Sequence, residues 1–280
     1  MMEPLELPAW ANGLFLAAAG LSIVSWAYTV RQWWRLKPAV PAEPRRAVPW
    51  GASGAMLAVL SVGLVWLSQL AIAEKPATGD IRLVDALGEA LVCFAFATLA
   101  MYWQRNQHCA EARDFGAPES LEQFIGDARL GISAAAAMLL PVYLVQSALV
   151  FVFGLPSSHP SVESLINNPN LELVLATTLM AVIVAPFYEE IAFRVLLQGW
   201  LERLGGPTAW WPVVVASAVF ASAHAGQGFA PIPIFVLSLG MGHLYRQTHR
   251  AAPCVIMHMA FNAFSLAMAI AAGSTAAGAS

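Results

Sequence analysis

Leu171 to Trp200 reads LELVLATTLMAVIVAPFYEEIAFRVLLQGW, and this stretch sets the class of the whole molecule. Residues 173–188 contain no Asp, Glu, Lys or Arg, and the run then meets Glu189, Glu190 and Arg194. A bilayer-spanning helix needs about 20 mostly apolar residues. Further charge-free runs cover 7–30, 47–73, 90–104, 131–162, 204–245 and 251–280. Of the 280 residues 59% are hydrophobic and 11% charged, against roughly 25% charged in an average soluble chain. A soluble fold of this size cannot bury that much apolar surface. Disorder, nucleic-acid binding and an ordinary soluble enzyme are thereby excluded, and the net charge of −3 implies no partner by itself. The runs predict an all-α, polytopic integral membrane protein of about eight transmembrane helices. They are 9–31, 50–73, 84–103, 131–153, 171–202, 208–224, 230–246 and 253–272.

The first run is too long for the apolar region of a signal peptide, and Glu3 and Glu6 precede it where basic residues would be expected. Orientation follows from Lys and Arg asymmetry. Connections after odd-numbered helices hold eleven basic residues (Arg31, Arg35, Lys37, Arg45, Arg46; Arg105, Arg113, Arg129; Arg203; Arg246, Arg250), and those after even-numbered ones only Lys75 and Arg82. This places the odd connections in the cytoplasm and both termini outside, in a cell (inner or plasma) membrane. Residues 1–130 read as three helices plus a cytoplasmic interfacial helix, and 131–280 as the membrane core that carries the chemistry. The interfacial helix is expected within 104–130, with a capping box from Ser120 and Gln123. Leu121, Phe124, Ile125 and Ala128 lie on its apolar face, opposite Glu122, Gln123 and Asp127. The Ala-, Gly- and Ser-rich tail after Gly273 is expected to fray. Trp10, Trp33, Trp34, Trp50, Trp103, Trp210 and Trp211 stand near span ends, as membrane-belt anchors do. Cys93, Cys109 and Cys254 form neither a disulfide framework nor a zinc motif.

Ionisable groups inside spans are costly and mark function by default. Three clusters qualify: Pro186-Phe187-Tyr188-Glu189-Glu190-Ile191-Ala192-Phe193-Arg194, Phe220-Ala221-Ser222-Ala223-His224, and His258-Met259-Ala260-Phe261-Asn262. Glu190 and Arg194 stand at i, i+4 with the acid first, the favoured order for a helical ion pair. Glu189 is rotated about 100° from Glu190, so one carboxylate can be neutralised while the other faces a different neighbour. His258 and Asn262 share a helix face. Glu189 lies 16 residues before Gly205 and His224 lies 17 after Pro207, which brings them to similar depth. His258 is only eight residues past Arg250, roughly 12 Å from that end. Either its helix starts farther inside the bilayer or its neighbours tilt.

These residue types allow amide hydrolysis. A Glu beside a His can deprotonate a water, and a His N–H with an Asn amide can hold a tetrahedral oxyanion. Asn is a poor zinc ligand, which favours the oxyanion role. The alternative is a zinc site built from Glu189, His224 and His258 with an open position for water, although no H-E-x-x-H helix occurs. Each residue also has a structural reading. Glu189 could be a second carboxylate of a buried ion network, His224 an interfacial histidine at a helix end, and His258 and Asn262 interhelical hydrogen-bond partners.

The three clusters resemble the E-E-x-x-x-R, F-x-x-x-H and H-x-x-x-N motifs of the CPBP family (CAAX proteases and bacteriocin-processing enzymes, also called Abi). These are polytopic intramembrane endopeptidases related to the type II CAAX prenyl endopeptidase. The resemblance covers about 171–265 in motif order, including the Ala-Pro before the two Glu; Val195 departs from it, standing where many members have Gly. By this resemblance Glu189 and His224 activate the water, His258 and Asn262 hold the oxyanion, and Glu190 and Arg194 support the site. It implies a membrane-associated or lipidated protein or peptide as substrate, in contact with the lipid bilayer and without nucleic acid. No cofactor is expected, with zinc as the alternative. Competing readings of the same polar residues are a catalytically silent, immunity-type scaffold and a proton or ion transporter. No inverted repeat supports the transporter.

Overall fold

A computed structural model describes residues 8–40, 42–44, 47–73, 83–154, 170–206 and 208–278. Glu3, Glu6, Arg45, Arg46, Lys75 and Arg82, on which part of the orientation argument falls, lie outside the described residues. Every regular element among the described residues is a helix, without a strand. Its long helices are α1 (Ala9–Trp34), α2 (Ala52–Ala73), α3 (Leu83–His108), α4 (Leu121–Phe153), α5 (Leu171–Gly205), α6 (Trp211–Ser222), α7 (Pro231–Thr248) and α8 (Ala251–Gly278). They coincide in place with the eight apolar runs; among the described residues five of them, α1, α3, α4, α5 and α8, are long and apolar enough to cross a membrane. The chain is a multi-pass membrane protein. With 12 residues, α6 reaches only about 18 Å, short of the ~30 Å hydrocarbon core. Gly206 at φ 77° delays its start, and consecutive turns from Ala223 to Gln227 end it early.

Local signals set the other boundaries. Asn170 caps α5 by accepting from Leu173 N at 2.8 Å, and Ser120 caps α4 by accepting from Gln123 N at 3.1 Å. The separate interfacial helix is not present: residues 121–130 are the first turns of α4 and run without a break into its span. Nothing between Arg129 and Gly131 interrupts helical backbone bonding, so continuation is favoured over a bend. Leu121, Phe124 and Ile125 are exposed, but Asp127, placed on the polar face from sequence, is fully buried. The division at residue 130 therefore falls inside one helix. The tail is a second difference, because α8 continues past Gly273 to Gly278.

Four of the basic connections meet at one end of the bundle. Arg250 donates from Nε to Asp127 Oδ1 at 2.7 Å and also pairs with Glu43. Glu43 N donates to Gln247 O at 2.8 Å, and Ala251 N to Gly116 O at 3.1 Å. Arg203 Nη1 donates to Pro49 O at 2.9 Å and Trp50 O at 3.0 Å. Trp50 is not a belt anchor. It is 0% exposed, stacks on Phe115 at 5.3 Å, and donates to Leu196 O at 3.3 Å. The other six belt candidates are exposed near helix ends, among them Trp33 at 73%.

Interhelical pairings give the register. Arg194 meets Ser238 and Gln198 meets Gly242, a constant offset, so α5 and α7 run parallel. The two-residue link His249–Arg250, with His249 left-handed at φ 52°, turns the chain back into α8. Cys254 Sγ donates to Met241 O at 3.5 Å. Following these pairs, Ala251 stands beside Leu244 and near Trp200, more than a turn inside the end of α5. That resolves the depth of His258: α8 starts deep. Close packing of α4 on α8 depends on Gly131, where a Cβ would stand 2.6 Å from Pro253 O.

Candidate active site

Helix α5 changes winding twice around the two glutamates. Leu179–Val184 and Ile191–Gln198 are π-helical, and Ala185–Glu190 between them is α-helical. Pro186 lies in that middle segment, without an N–H and with a ring that crowds the carbonyl one turn earlier. Wider winding relieves such crowding, and π segments recur at functional sites. In the first π segment, Ala181 O accepts from Asn262 Nδ2 of α8 at 2.7 Å.

Glu190 is fully buried. Its Oε2 accepts from Arg194 Nε at 2.9 Å, and its Oε1 lies 3.0 Å from His258 Nδ1. A carboxylate paired with a guanidinium can only accept, so Nδ1 of His258 carries a proton. Arg194, 0% exposed, also donates from Nη2 to Ser238 Oγ at 2.9 Å. Its guanidinium carbon lies 5.1 Å from the centre of the Phe220 ring, within cation–π range. Glu189 points elsewhere. Its side chain keeps 15% exposure, and Oε2 lies 3.8 Å from His258 Nε2, too far for a direct hydrogen bond. The imidazole of His258 thus stands between the two carboxylates.

His224 occupies the turn after α6. Its Nδ1 lies 3.1 Å from Phe220 O, and its ring is 5.2 Å from that of Phe220. Glu189, Glu190, Arg194 and His258 are therefore directly assembled, His224 flanks them, and Asn262 lies one turn from His258 with an amide hydrogen on Ala181. Among the described residues, no group of three His, Cys, Asp or Glu side chains is placed to hold a metal ion. The zinc set Glu189, His224 and His258 is thus not gathered into a ligand cluster.

Two residues had no assigned role from sequence. Phe220 is ringed by Phe193 at 5.0 Å, His224 at 5.2 Å, His258 at 5.8 Å and the Arg194 guanidinium, so it keys three helices together. Its place four residues before His224 was the available signal. Ser238, which orients Arg194, lies in a charge-free run and offered none.

Residues 171–264 match the family model described as type II CAAX prenyl endopeptidase Rce1-like. Over that segment the chain is similar to the Rce1-like family. The matched residues hold all six polar residues of the site, whereas α1 to α4 lie outside the match. The Rce1-like family points to an intramembrane endopeptidase of the CAAX-protease type. No curated protein and no solved structure matches the chain.

Proposed function

We propose that the protein hydrolyses a peptide bond of a membrane-associated or lipidated protein or peptide, at Glu189 within the bilayer. The observation that carries this reading is the division of labour between adjacent carboxylates: Glu190 is neutralised by Arg194 at 2.9 Å, and Glu189, partly exposed, faces His258 at 3.8 Å. In this scheme Glu189, assisted by His224, takes a proton from water as the oxygen attacks the substrate carbonyl carbon. The carbonyl π electrons move to oxygen, and the oxyanion accepts from the Asn262 amide and from Nε2–H of His258, which with Nδ1–H donating to Glu190 acts as the imidazolium. Collapse breaks the C–N bond, and Glu189 returns the proton to the leaving nitrogen. Glu190 and Arg194 fix the ring of His258 through Nδ1, as a carboxylate orients a catalytic imidazole elsewhere. Asn262 releases Ala181 O or uses its second amide hydrogen.

In this proposal residues 131–280 form the catalytic core, with 1–130 as flanking helices. The end where the basic connections meet faces the cytoplasm, and both termini lie outside in a cell membrane. Proteomic comparison of membranes carrying wild type and Glu189→Ala tests the function. New protein termini should accompany the wild type alone; identical terminus profiles would overturn the proposal.

A further inference from the structure

The connection that leads into α2 closes on one carbonyl of α5 from two points. Trp50 Nε1 donates to Leu196 O at 3.3 Å. Gly54, four residues later, passes so near that a Cβ there would stand 2.8 Å from the same oxygen and 2.5 Å from Trp50 Cδ1. Val48 makes the next approach, because a Cβ on Gly199 would stand 2.8 Å from Val48 Cγ1. Arg203 Nη1 then gathers three successive carbonyls, Val48 at 3.4 Å, Pro49 at 2.9 Å and Trp50 at 3.0 Å. Val48 and Trp50 are both buried. Residues 48–54 are thus fastened to α5 from Leu196 to Arg203.

These anchor points straddle a change of winding. Ile191–Gln198 is π-helical and Gly199–Gly205 is α-helical. Leu196 lies in the last turn of the π segment, and Gly199 opens the α segment. The same π segment carries Arg194, which pairs with Glu190 at 2.9 Å, and Glu190 in turn lies 3.0 Å from His258 Nδ1. A π segment holds i→i+5 bonds in place of i→i+4 bonds. A shift of winding at this junction therefore turns the residues before it relative to those after it.

We propose that Trp50 is a positioning residue for the candidate site. Its indole N–H, with Gly54 closing on the same carbonyl, holds the π-to-α junction of α5 in register, and through it the line from Arg194 to Glu190 to His258. Trp50 acts through α5 and not on the substrate. It lies outside the matched residues 171–264, so the N-terminal part of the chain contributes to the site by fixing the helix that carries it. The effect on cleavage rests on the proposed peptidase activity; the hold on the junction does not.

Hydrogen exchange on the full chain in detergent tests the hold. Trp50→Phe keeps a ring against Phe115 and removes the N–H, whereas Phe115→Leu removes the stacked ring and keeps the N–H. Loss of one hydrogen bond should speed exchange of the amides in 191–201 by about two- to tenfold in Trp50→Phe. The helices α6 and α7 should stay near wild type, and Phe115→Leu should loosen 191–201 less. Gly54→Ala, which drives a Cβ against Leu196 O, should loosen the same stretch. Wild-type exchange over 191–201 in Trp50→Phe, an equal rise in every helix, or an equal effect of Phe115→Leu would overturn the proposal. Cleavage of a membrane-embedded reporter reads the consequence. For Trp50→Phe kcat should fall by about 10- to 100-fold at an unchanged KM, and the exposed control Trp33→Phe should match wild type. A wild-type kcat in Trp50→Phe would overturn the positioning role. A wild type that cleaves nothing would instead count against the peptidase activity, and the exchange rates would then decide the hold by themselves.

Discussion

Removing the Glu190 side chain should be among the most destabilising single changes in the molecule. Glu190 and Arg194 are each 0% exposed and lie 2.9 Å apart, and Glu190 also takes the proton of His258 Nδ1 at 3.0 Å. Glu190→Ala leaves a buried guanidinium with Ser238 as its remaining polar partner. Breaking a buried pair from one side costs about 3–5 kcal/mol, and hence on the order of ten degrees of thermal midpoint. Arg194→Met should cost a similar amount by stranding the carboxylate. Replacing both, Glu190→Leu with Arg194→Met, strands neither charge, and such apolar replacements are often neutral or better. The double variant should therefore recover most of the midpoint, with a coupling energy of at least ~3 kcal/mol. Cleavage should not recover with it, because His258 still lacks its acceptor. Thermal unfolding followed by tryptophan fluorescence in detergent, with a parallel cleavage assay, reads both. Losses that simply add in the double variant, or single variants within about 1 kcal/mol of wild type, would refute the buried-pair reasoning.

The remaining predictions address packing and metal dependence. Trp50→Ala removes a fully buried, stacked ring and should destabilise by about 3–5 kcal/mol, and Trp33→Ala, at 73% exposure, should leave the midpoint in detergent near wild type; equal midpoints would contradict the core assignment of Trp50. Gly131→Ala places a Cβ 2.6 Å from the Pro253 carbonyl and should cost about 1–3 kcal/mol by forcing α4 from α8. A variant as stable as wild type would show that the helices separate freely. Cleavage by purified protein should persist after exhaustive treatment with a strong chelator; loss restored by zinc alone would replace the glutamate-base scheme with a metal one.

The apolar runs placed all eight helical stretches because each is a contiguous property of the chain. The Glu190–Arg194 pair was equally legible, since i, i+4 spacing fixes proximity within one helix whatever surrounds it. What depends on neighbours was not. A Trp at a span end looks the same whether it faces lipid headgroups or, like Trp50, the ring of Phe115. The depth of His258 was ambiguous because a two-residue link gives no sign of how far inside the bundle α8 begins. Asn262 bonds Ala181 O in a π-wound segment, a winding that no periodicity in LMAVIV announces. The short α6 hid in a charge-free run that continues beyond both of its ends.

The most direct test is cleavage of a membrane-embedded reporter by purified wild type and Glu189→Gln, carried out in water enriched in heavy oxygen. Wild type should place one heavy oxygen on each new C-terminal carboxylate. Glu189→Gln, which keeps the shape and loses the base, should be slower by about 10²–10⁴-fold, with its thermal midpoint close to that of wild type. A Glu189→Gln enzyme that cleaves at the wild-type rate would contradict the assignment of Glu189 as the base.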